Sequence, residues 1–201
     1  MLVSNLGQKS IEDIDFERLL YSQELVMIIA YLDTFMVDTI RIICHLKPEV
    51  LKINKQIEWD AILNCGGWDN LIDYLSERYV FDFGYKTINQ RLDHMENKLG
   101  IEIEASSSEI EYLVEAKLIR DVIVHNGGKI NRQYINKSKK NDLILGEFIE
   151  ISPECLYKVT HTARKLVGDI FVSVSKKFFN KDEEKITGVW LRSSSETKSE
   201  K

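Results

Sequence analysis

Proline and glycine are scarce in this chain, with 2 Pro and 10 Gly among 201 residues. Because these residues interrupt helices and support irregular segments, their scarcity favours helices and disfavours long loops. The three cysteines are odd in number and far apart, which argues against a disulfide framework and favours free thiols in a reducing compartment. No Walker-type, GxGxxG or GxSxG pattern occurs, so nucleotide hydrolysis through a P-loop is not predicted.

Long uncharged apolar runs are also missing. The most apolar stretch, residues 25–46, contains Asp33, Asp38 and Arg41, which suits a buried amphipathic helix better than a membrane span. Residues 1–10 lack the basic start and apolar run of a secretory signal. The net charge of −5 argues against nonspecific coating of nucleic acid but is compatible with a local basic site. We therefore expect a cytoplasmic protein.

Hydrophobic periodicity and capping residues predict an all-α bundle of four to five main helices. The predicted helices cover residues 11–45, 57–79, 86–99, 109–126 and 153–179, and the glycine pair at 66–67 kinks or splits the second helix. A small hairpin across residues 129–135 and 143–151 is also compatible with the sequence. We expect one helical domain over residues 11–180, a loose leader over 1–10 and a disordered tail over 181–201.

Capping signals mark the starts of the last two predicted helices. Ser108 is a good N-cap residue, and Glu111 three residues later completes a capping-box pattern. Ser152, Pro153 and Glu154 supply a cap residue, a first-turn proline and a carboxylate at the positive end of the helix dipole. Both helices are therefore predicted to begin directly after their cap residues.

The most informative stretch is residues 115–128, Glu-Ala-Lys-Leu-Ile-Arg-Asp-Val-Ile-Val-His-Asn-Gly-Gly. Asp121 and His125 are four residues apart and share a helix face, so the carboxylate can orient the imidazole and favour its protonated form. His125 also lies in the last helical turn, where the dipole favours a cation, so the imidazole is suited to acid or base work near neutral pH. Arg120 offers a planar set of donors that suits a phosphate in its more highly charged transition state.

The segment Arg120-Asp121-Val122-Ile123-Val124-His125 resembles the signature of the HEPN superfamily (higher eukaryotes and prokaryotes nucleotide-binding). That signature is Arg, a polar residue, a few mostly apolar residues and then His, late in an all-α bundle. Four residues separate Arg120 from His125, which is the short end of the family's range. The motif itself covers six residues, while the predicted order of helices covers most of the chain.

The resemblance implies a metal-independent endoribonuclease that uses no cofactor. His125 would activate the ribose 2′-hydroxyl or protonate the leaving oxygen, Arg120 would stabilise the pentacoordinate phosphate, and Asp121 or Asn126 would position these groups. The products would be a 2′,3′-cyclic phosphate and a 5′-hydroxyl. By the same resemblance, the protein would act as a toxin that blocks translation or as an abortive-infection factor in phage defence, with a phage protein or an antitoxin as a candidate regulator.

Helix geometry adds a constraint to this site. Five residues along a helix correspond to about 500°, so Arg120 and His125 point about 140° apart. One straight helix therefore does not bring both side chains to the same atom, so either the helix distorts at its end or two chains pool their residues. Members of the family typically form a symmetric dimer with both motifs lining a shared cleft, so the resemblance implies a homodimer with a composite site.

Basic residues surround the motif. Between residues 117 and 140 there are seven basic side chains and one acid, a local charge of +6 in a chain of −5 overall. Besides Arg120, they are Lys117, Lys129, Arg132, Lys137, Lys139 and Lys140. This asymmetry would attract a polyanion, and Tyr134 within the segment could stack on a base. We predict RNA binding here, although a solvated loop explains residues 137–140 equally well.

Two other interpretations stay open. Asn126 and Gly127 can simply end the helix, with His125 complementing its dipole. Alternatively, the protein is a non-catalytic helical dimer that binds RNA, a nucleotide or a regulatory protein in the same cleft. A metal site at Cys44-His45 is not predicted, because no second Cys/His pair has suitable spacing.

Overall fold

A computed structural model of the chain describes residues 15–51 and 57–181, which form seven α-helices. The helices are α1 (Phe16–Leu46), α2 (Trp59–Cys65), α3 (Trp68–Gly84), α4 (Ile88–Asn97), α5 (Ser107–Asn126), α6 (Arg132–Lys137) and α7 (Pro153–Phe179), with a 3₁₀ turn at Pro48–Leu51. The predicted all-α fold is confirmed. None of the helices within the described ranges is long and apolar enough to cross a membrane. The predicted leader and the tail beyond Lys181 lie outside the described residues.

The longest helix, α1, is the centre of the fold and packs against α3, α5 and α7. Its buried face repeats every three or four residues, as helical periodicity requires. The buried apolar side chains on this face include Leu25, Ile29, Leu32, Met36, Ile40 and Ile43. Completely burying one such side chain stabilises the fold by about 1.5–3 kcal/mol. This face therefore contributes much of the free energy that holds α5 and α7 in place.

The glycine pair splits the second predicted helical region. Gly66 has a positive φ of 68°, a left-handed conformation that favours glycine and ends α2. The chain restarts as α3 at Trp68 and continues to Gly84, five residues beyond the predicted end at Tyr79. Of the two outcomes left open by the sequence, a kink or a split, the structure has the split.

The N-cap of α5 is Ser106, so the prediction of Ser108 was wrong. The Ser106 hydroxyl accepts the Glu109 N–H at 3.3 Å, and the Glu109 carboxylate accepts the Ser106 N–H at 2.7 Å. Glu109 also accepts a hydrogen bond from Lys165 of α7 at 2.9 Å. Because both serines fit a capping box locally, this contact with α7 is what favours the earlier start.

The expected hairpin is largely absent within the described residues. Asn131 accepts the Tyr134 N–H at 2.8 Å and so caps α6, which makes the predicted first strand helical. What forms of the pairing is one antiparallel bridge, Lys129 to Phe148, with three backbone hydrogen bonds between residues 128–130 and 146–149. The prediction failed because a side-chain cap at Asn131 competes with strand pairing.

Contacts between helices fix their directions. Lys117 of α5 contacts Asp33 of α1 at 3.1 Å, and the start of α1 lies near Gly128, just after α5. Near the start of α5, Glu109 pairs with Lys165 in the middle of α7. Further along α7, the Ser173 hydroxyl accepts a hydrogen bond at 2.8 Å from the N–H of Glu102, a residue that precedes α5. Helix α5 therefore runs antiparallel to both α1 and α7, and its C-terminal end lies beside the start of α1.

Candidate functional site

The four predicted catalytic residues all lie in the last two turns of α5, the helix that packs between α1 and α7. The helix ends at Asn126, and Gly127 adopts a left-handed φ of 60°. The next residue, Gly128, has a φ of 79° and donates its N–H to the Val122 carbonyl at 3.1 Å. The predicted stop at Asn126-Gly127-Gly128 is confirmed, and it leaves the end of α5 close to solvent.

Arg120 is held beside the helix by its neighbour. Its Nη1 donates a hydrogen bond to Asp121 Oδ1 at 2.9 Å, and the two side chains are 28% and 46% exposed. The Nε atom of Arg120 is buried and has no hydrogen-bond partner among the described residues. Leaving a buried donor unsatisfied costs about 1–3 kcal/mol. Because this atom is closed to solvent, a phosphate oxygen or a second protein chain accepts its N–H only after the Arg120 side chain moves, and would then recover part of that free energy.

His125 is exposed, and the part of the chain that the structure describes gives it no hydrogen bond or ion pair. The expected contact between Asp121 and His125 is not formed, because the Asp121 carboxylate points to Arg120 instead. A guanidinium next to a carboxylate offers a charge-assisted hydrogen bond that a more distant imidazole does not match. The imidazole is thus accessible to a ligand but is not oriented by its own helix.

Asn126 closes the turn after α5. Its side-chain amide donates a hydrogen bond to the Lys129 carbonyl oxygen. This hydrogen bond gives Asn126 a structural role in the turn. Asn126 can also position His125, its neighbour in sequence, by keeping the last turn of α5 intact.

The regular helix keeps Arg120 and His125 about 140° apart around the axis of α5, as the spacing predicts. One chain therefore places an exposed imidazole on one side of the helix end and a partly buried guanidinium on another. The arrangement can contribute one acid–base group and one phosphate-binding group, each facing a different direction.

Lys117, predicted to bind RNA, forms an ion pair within the chain. It pairs with Asp33 at 3.1 Å, and Asp33 also pairs with the nearly buried Arg91 at 2.6 Å. The three side chains join α1, α4 and α5 in a partly buried network. Lys117 is therefore held by a carboxylate from a distant part of the chain, which it shares with Arg91.

Tyr134 is a core residue, so the expectation that it stacks on a base is not supported. Its exposed fraction is 2%, and its hydroxyl donates to Glu115 Oε1 at 2.6 Å. Burial, followed by the hydrogen bond to Glu115, raises the pKa of Tyr134. No sequence signal distinguishes the two roles, because aromatic residues at helical spacing serve in cores and in stacking alike.

Three of the predicted basic residues line a cavity of about 560 Å³ on another flank of α5. They are Lys137, Lys139 and Lys140. Lys139 pairs with Glu111 at 2.6 Å, and the cavity also contains Tyr112 and Lys158, which the sequence did not single out. Glu115 in this lining and Arg120 are five residues apart on α5, hence about 140° apart. The basic segment is therefore divided between two sides of the helix.

The basic residues beside the turn after α5 are Lys129 and Arg18. The Arg18 guanidinium lies 3.9 Å from the centre of the Phe148 ring, and the Lys129 ammonium lies 5.5 Å from it. Arg18 and Phe148 were missed, since only the fold brings the start of α1 next to this turn. Arg132 is exposed at the first residue of α6. Arg18 also pairs with Asp15 at 3.5 Å, so this end of the molecule carries carboxylates as well as cations and an aromatic ring.

No protein-family model, curated protein or solved structure matches this chain. Within residues 15–51 and 57–181, no group of three or more His, Cys, Asp or Glu side chains is placed to hold a metal ion. The interpretation of the site therefore depends on its own geometry and on the motif.

Proposed function

We propose that this protein is a metal-independent endoribonuclease of the HEPN type that acts as a homodimer. The observation that carries the proposal is the end of α5. There a partly buried Arg120 with an unsatisfied Nε donor precedes an exposed His125 by five residues, inside an all-α bundle. This combination matches the order Arg, polar, apolar, His that the family motif requires.

The proposed reaction is a transesterification within RNA. The ribose 2′-oxygen attacks the adjacent phosphorus, the bond from phosphorus to the 5′-oxygen breaks, and a 2′,3′-cyclic phosphate and a 5′-hydroxyl result. His125 takes the proton from the 2′-hydroxyl or gives one to the 5′-oxygen. Arg120 stabilises the additional negative charge of the pentacoordinate phosphate. Asp121 positions Arg120 by accepting its hydrogen bond, and Asn126 positions the end of α5 by closing the turn that follows it.

A second copy of the chain supplies what one copy lacks. Because Arg120 and His125 face different directions on one helix, two helix ends related by a two-fold axis are needed to bring an arginine and an imidazole to the same phosphate. In the proposed dimer, Arg18 and Lys129 beside each turn and the exposed Arg132 contact the RNA backbone. Lys137, Lys139 and Lys140, on the other flank of α5, contact a more distant part of the strand.

The proposed biological role follows from the same motif. A ribonuclease of this kind would act in the cytoplasm as a toxin or an abortive-infection factor that blocks translation during phage infection. A phage protein or an antitoxin would regulate it. Expression of the wild-type chain should then arrest growth and degrade RNA, and His125→Ala should abolish both effects.

The decisive test uses purified protein and a labelled RNA. His125→Ala and Arg120→Ala should each lower the cleavage rate by about 10²-fold or more, the usual range for losing an acid–base group and for losing a donor that stabilises the transition-state charge, respectively. His161→Ala, which changes an exposed histidine on α7, and Arg78→Ala, which changes an exposed arginine on α3, are the matched controls. Circular dichroism and sedimentation should show the same fold and oligomer for all variants. Equal cleavage by all of them would sink the proposal.

The second candidate function is a non-catalytic dimer that binds RNA, a nucleotide or a regulatory protein. The pairing of Arg120 with Asp121, which leaves His125 without an orienting group, favours it. In that case no variant cleaves RNA, whereas a complex with the partner persists in the wild type and weakens in Arg120→Ala.

A further inference from the structure

An apolar groove with a volume of about 770 Å³ runs along the surface between α1 and α7. Within the described residues, only these two helices line it, with side chains that include Tyr31, Phe35, Ile42, Val167 and Phe179. Tyr31 is 68% exposed, Ile42 48% and Phe179 44%. A continuous apolar surface of this kind marks a site of interaction.

The groove lies away from the motif. Phe35 in the groove and Asp33, which contacts Lys117 of α5, are two residues apart on α1, hence about 160° apart around its axis. A second copy that shares Arg120 and His125 therefore approaches a different flank of α1. The proposed catalytic dimer leaves this groove to another occupant.

Helix α7 ends at the groove, because its last residue, Phe179, lines it. Asn180 adopts a left-handed conformation with φ 50° and ψ 37°, which stops the helix. The Lys181 N–H then donates to the Ser175 carbonyl at 3.3 Å, and Ser175 lines the groove. The segment that follows Lys181 thus begins beside one end of the groove.

Residues 182–201 contain a short apolar run in an otherwise polar and charged sequence. Its apolar members are Ile186, Val189, Trp190 and Leu191. From Lys181 to Trp190 the extended chain spans up to about 30 Å. The groove from Phe179 to Ala163 is about 24 Å long by helical rise, so Trp190 can reach any part of it. A tether this short gives an effective concentration in the millimolar range.

We infer that residues 186–191 bind in the α1–α7 groove of the same chain, with Trp190 in contact with its apolar lining. The bound segment covers an apolar surface that otherwise promotes association between molecules. The inference does not depend on RNA cleavage, because neither the groove nor this segment contains Arg120 or His125.

Tryptophan fluorescence of the full chain tests this. Trp59→Phe with Trp68→Phe, at positions 74% and 69% exposed, leaves Trp190 as the one tryptophan of the three. Its emission should lie at shorter wavelength than that of free tryptophan amide, resist acrylamide quenching and stay constant over a hundredfold dilution. Adding Tyr31→Asp in the groove should move the emission to longer wavelength.

The matched control is Leu63→Asp, which adds the same charge at a 71% exposed site on α2 outside the groove and should leave the emission unchanged. Because Tyr31 and Leu63 are both exposed, the fold should persist in each variant, as circular dichroism will show. Emission typical of water in the parent protein, or no response to Tyr31→Asp, overturns the inference. Emission that changes on dilution also overturns it, since a second chain then occupies the groove.

Discussion

Asp121 accepts a hydrogen bond from Arg120 at 2.9 Å, although the sequence places it equally well to orient His125. The carboxylate therefore offsets the charge of the guanidinium in the free protein. In the proposed ribonuclease, RNA either displaces this contact or uses the donors of Arg120 that Asp121 leaves open. Under the proposed function, this contact separates RNA binding from catalysis, because the same carboxylate weakens the attraction of a phosphate and holds the guanidinium in place.

Asp121→Asn should therefore have opposite effects on binding and on cleavage. Removing a partly exposed negative charge beside Arg120 should tighten RNA binding up to about five-fold, the scale of a surface ion pair. The cleavage rate should fall, because the guanidinium loses the group that positions it. Binding is measured in a His125→Ala background, where RNA stays intact, and cleavage in the wild-type background. Asp169→Asn, far along α7, is the control for nonspecific charge, and equal tightening there would contradict the explanation.

Asp33 should be a major determinant of stability. It pairs with Arg91, whose side chain is 4% exposed, and with Lys117 of the motif helix. Asp33→Asn leaves a buried guanidinium without its counter-charge, so we expect a loss of about 3–5 kcal/mol in the free energy of unfolding. Asp38→Asn on the same helix breaks only an exposed pair and should cost less than about 1 kcal/mol. Urea denaturation compares the two variants, and similar midpoints would refute the ranking.

His94 should make stability depend on pH. Its Nε2 lies 2.6 Å from the Tyr79 hydroxyl, and burial, with Lys86 and Lys98 nearby, lowers the pKa of His94 from about 6.5. Folding thus favours the neutral ring. The stabilisation is complete above pH 6.5 and is lost as the pH falls from there through the lower folded pKa.

The measurement for His94 is the unfolding midpoint from pH 8 to pH 5 in the wild type and in His94→Gln. The wild type should lose stability more steeply over this range, because the glutamine side chain does not titrate. His161→Gln replaces an exposed histidine and should follow the wild-type curve. If the unfolding midpoints of the wild type and His94→Gln change with pH in parallel, His94 does not cause the loss of stability.

The sequence predicted the helices well, because their periodicity and caps are local properties. The end of α5 at Gly127 and the start of α7 at Pro153 follow from backbone preferences and from the helix dipole. The start of α5 was wrong by two residues because Lys165, distant in sequence, selects Glu109 as the capping partner. Local signals could not distinguish two equivalent serines.

The candidate site was less predictable, because the environment of each side chain depends on residues far away in sequence. Lys117 looked like part of a basic segment, but it pairs with Asp33, 84 residues earlier. Tyr134 looked available for stacking, but the fold buries it against Glu115. Conversely, Arg18 joins the end of α5 only because α1 and α5 are antiparallel. The spacing alone did predict that the side chains of Arg120 and His125 point in different directions, since that follows from helix geometry.

This divergence leads to the sharpest prediction, a mixing experiment with two inactive proteins. If each composite site takes Arg120 from one chain and His125 from the other, a heterodimer of Arg120→Ala and His125→Ala has one intact site and one doubly damaged site. In an equal mixture, random exchange of chains makes half of the dimers heterodimers. Because each heterodimer has one intact site of two, the mixture should recover about a quarter of the wild-type activity. The readout is RNA cleavage after the two variants are mixed and allowed to exchange. The control is each variant mixed with more of itself. If the exchange of chains is verified and no cleavage activity is recovered, both residues act within one chain.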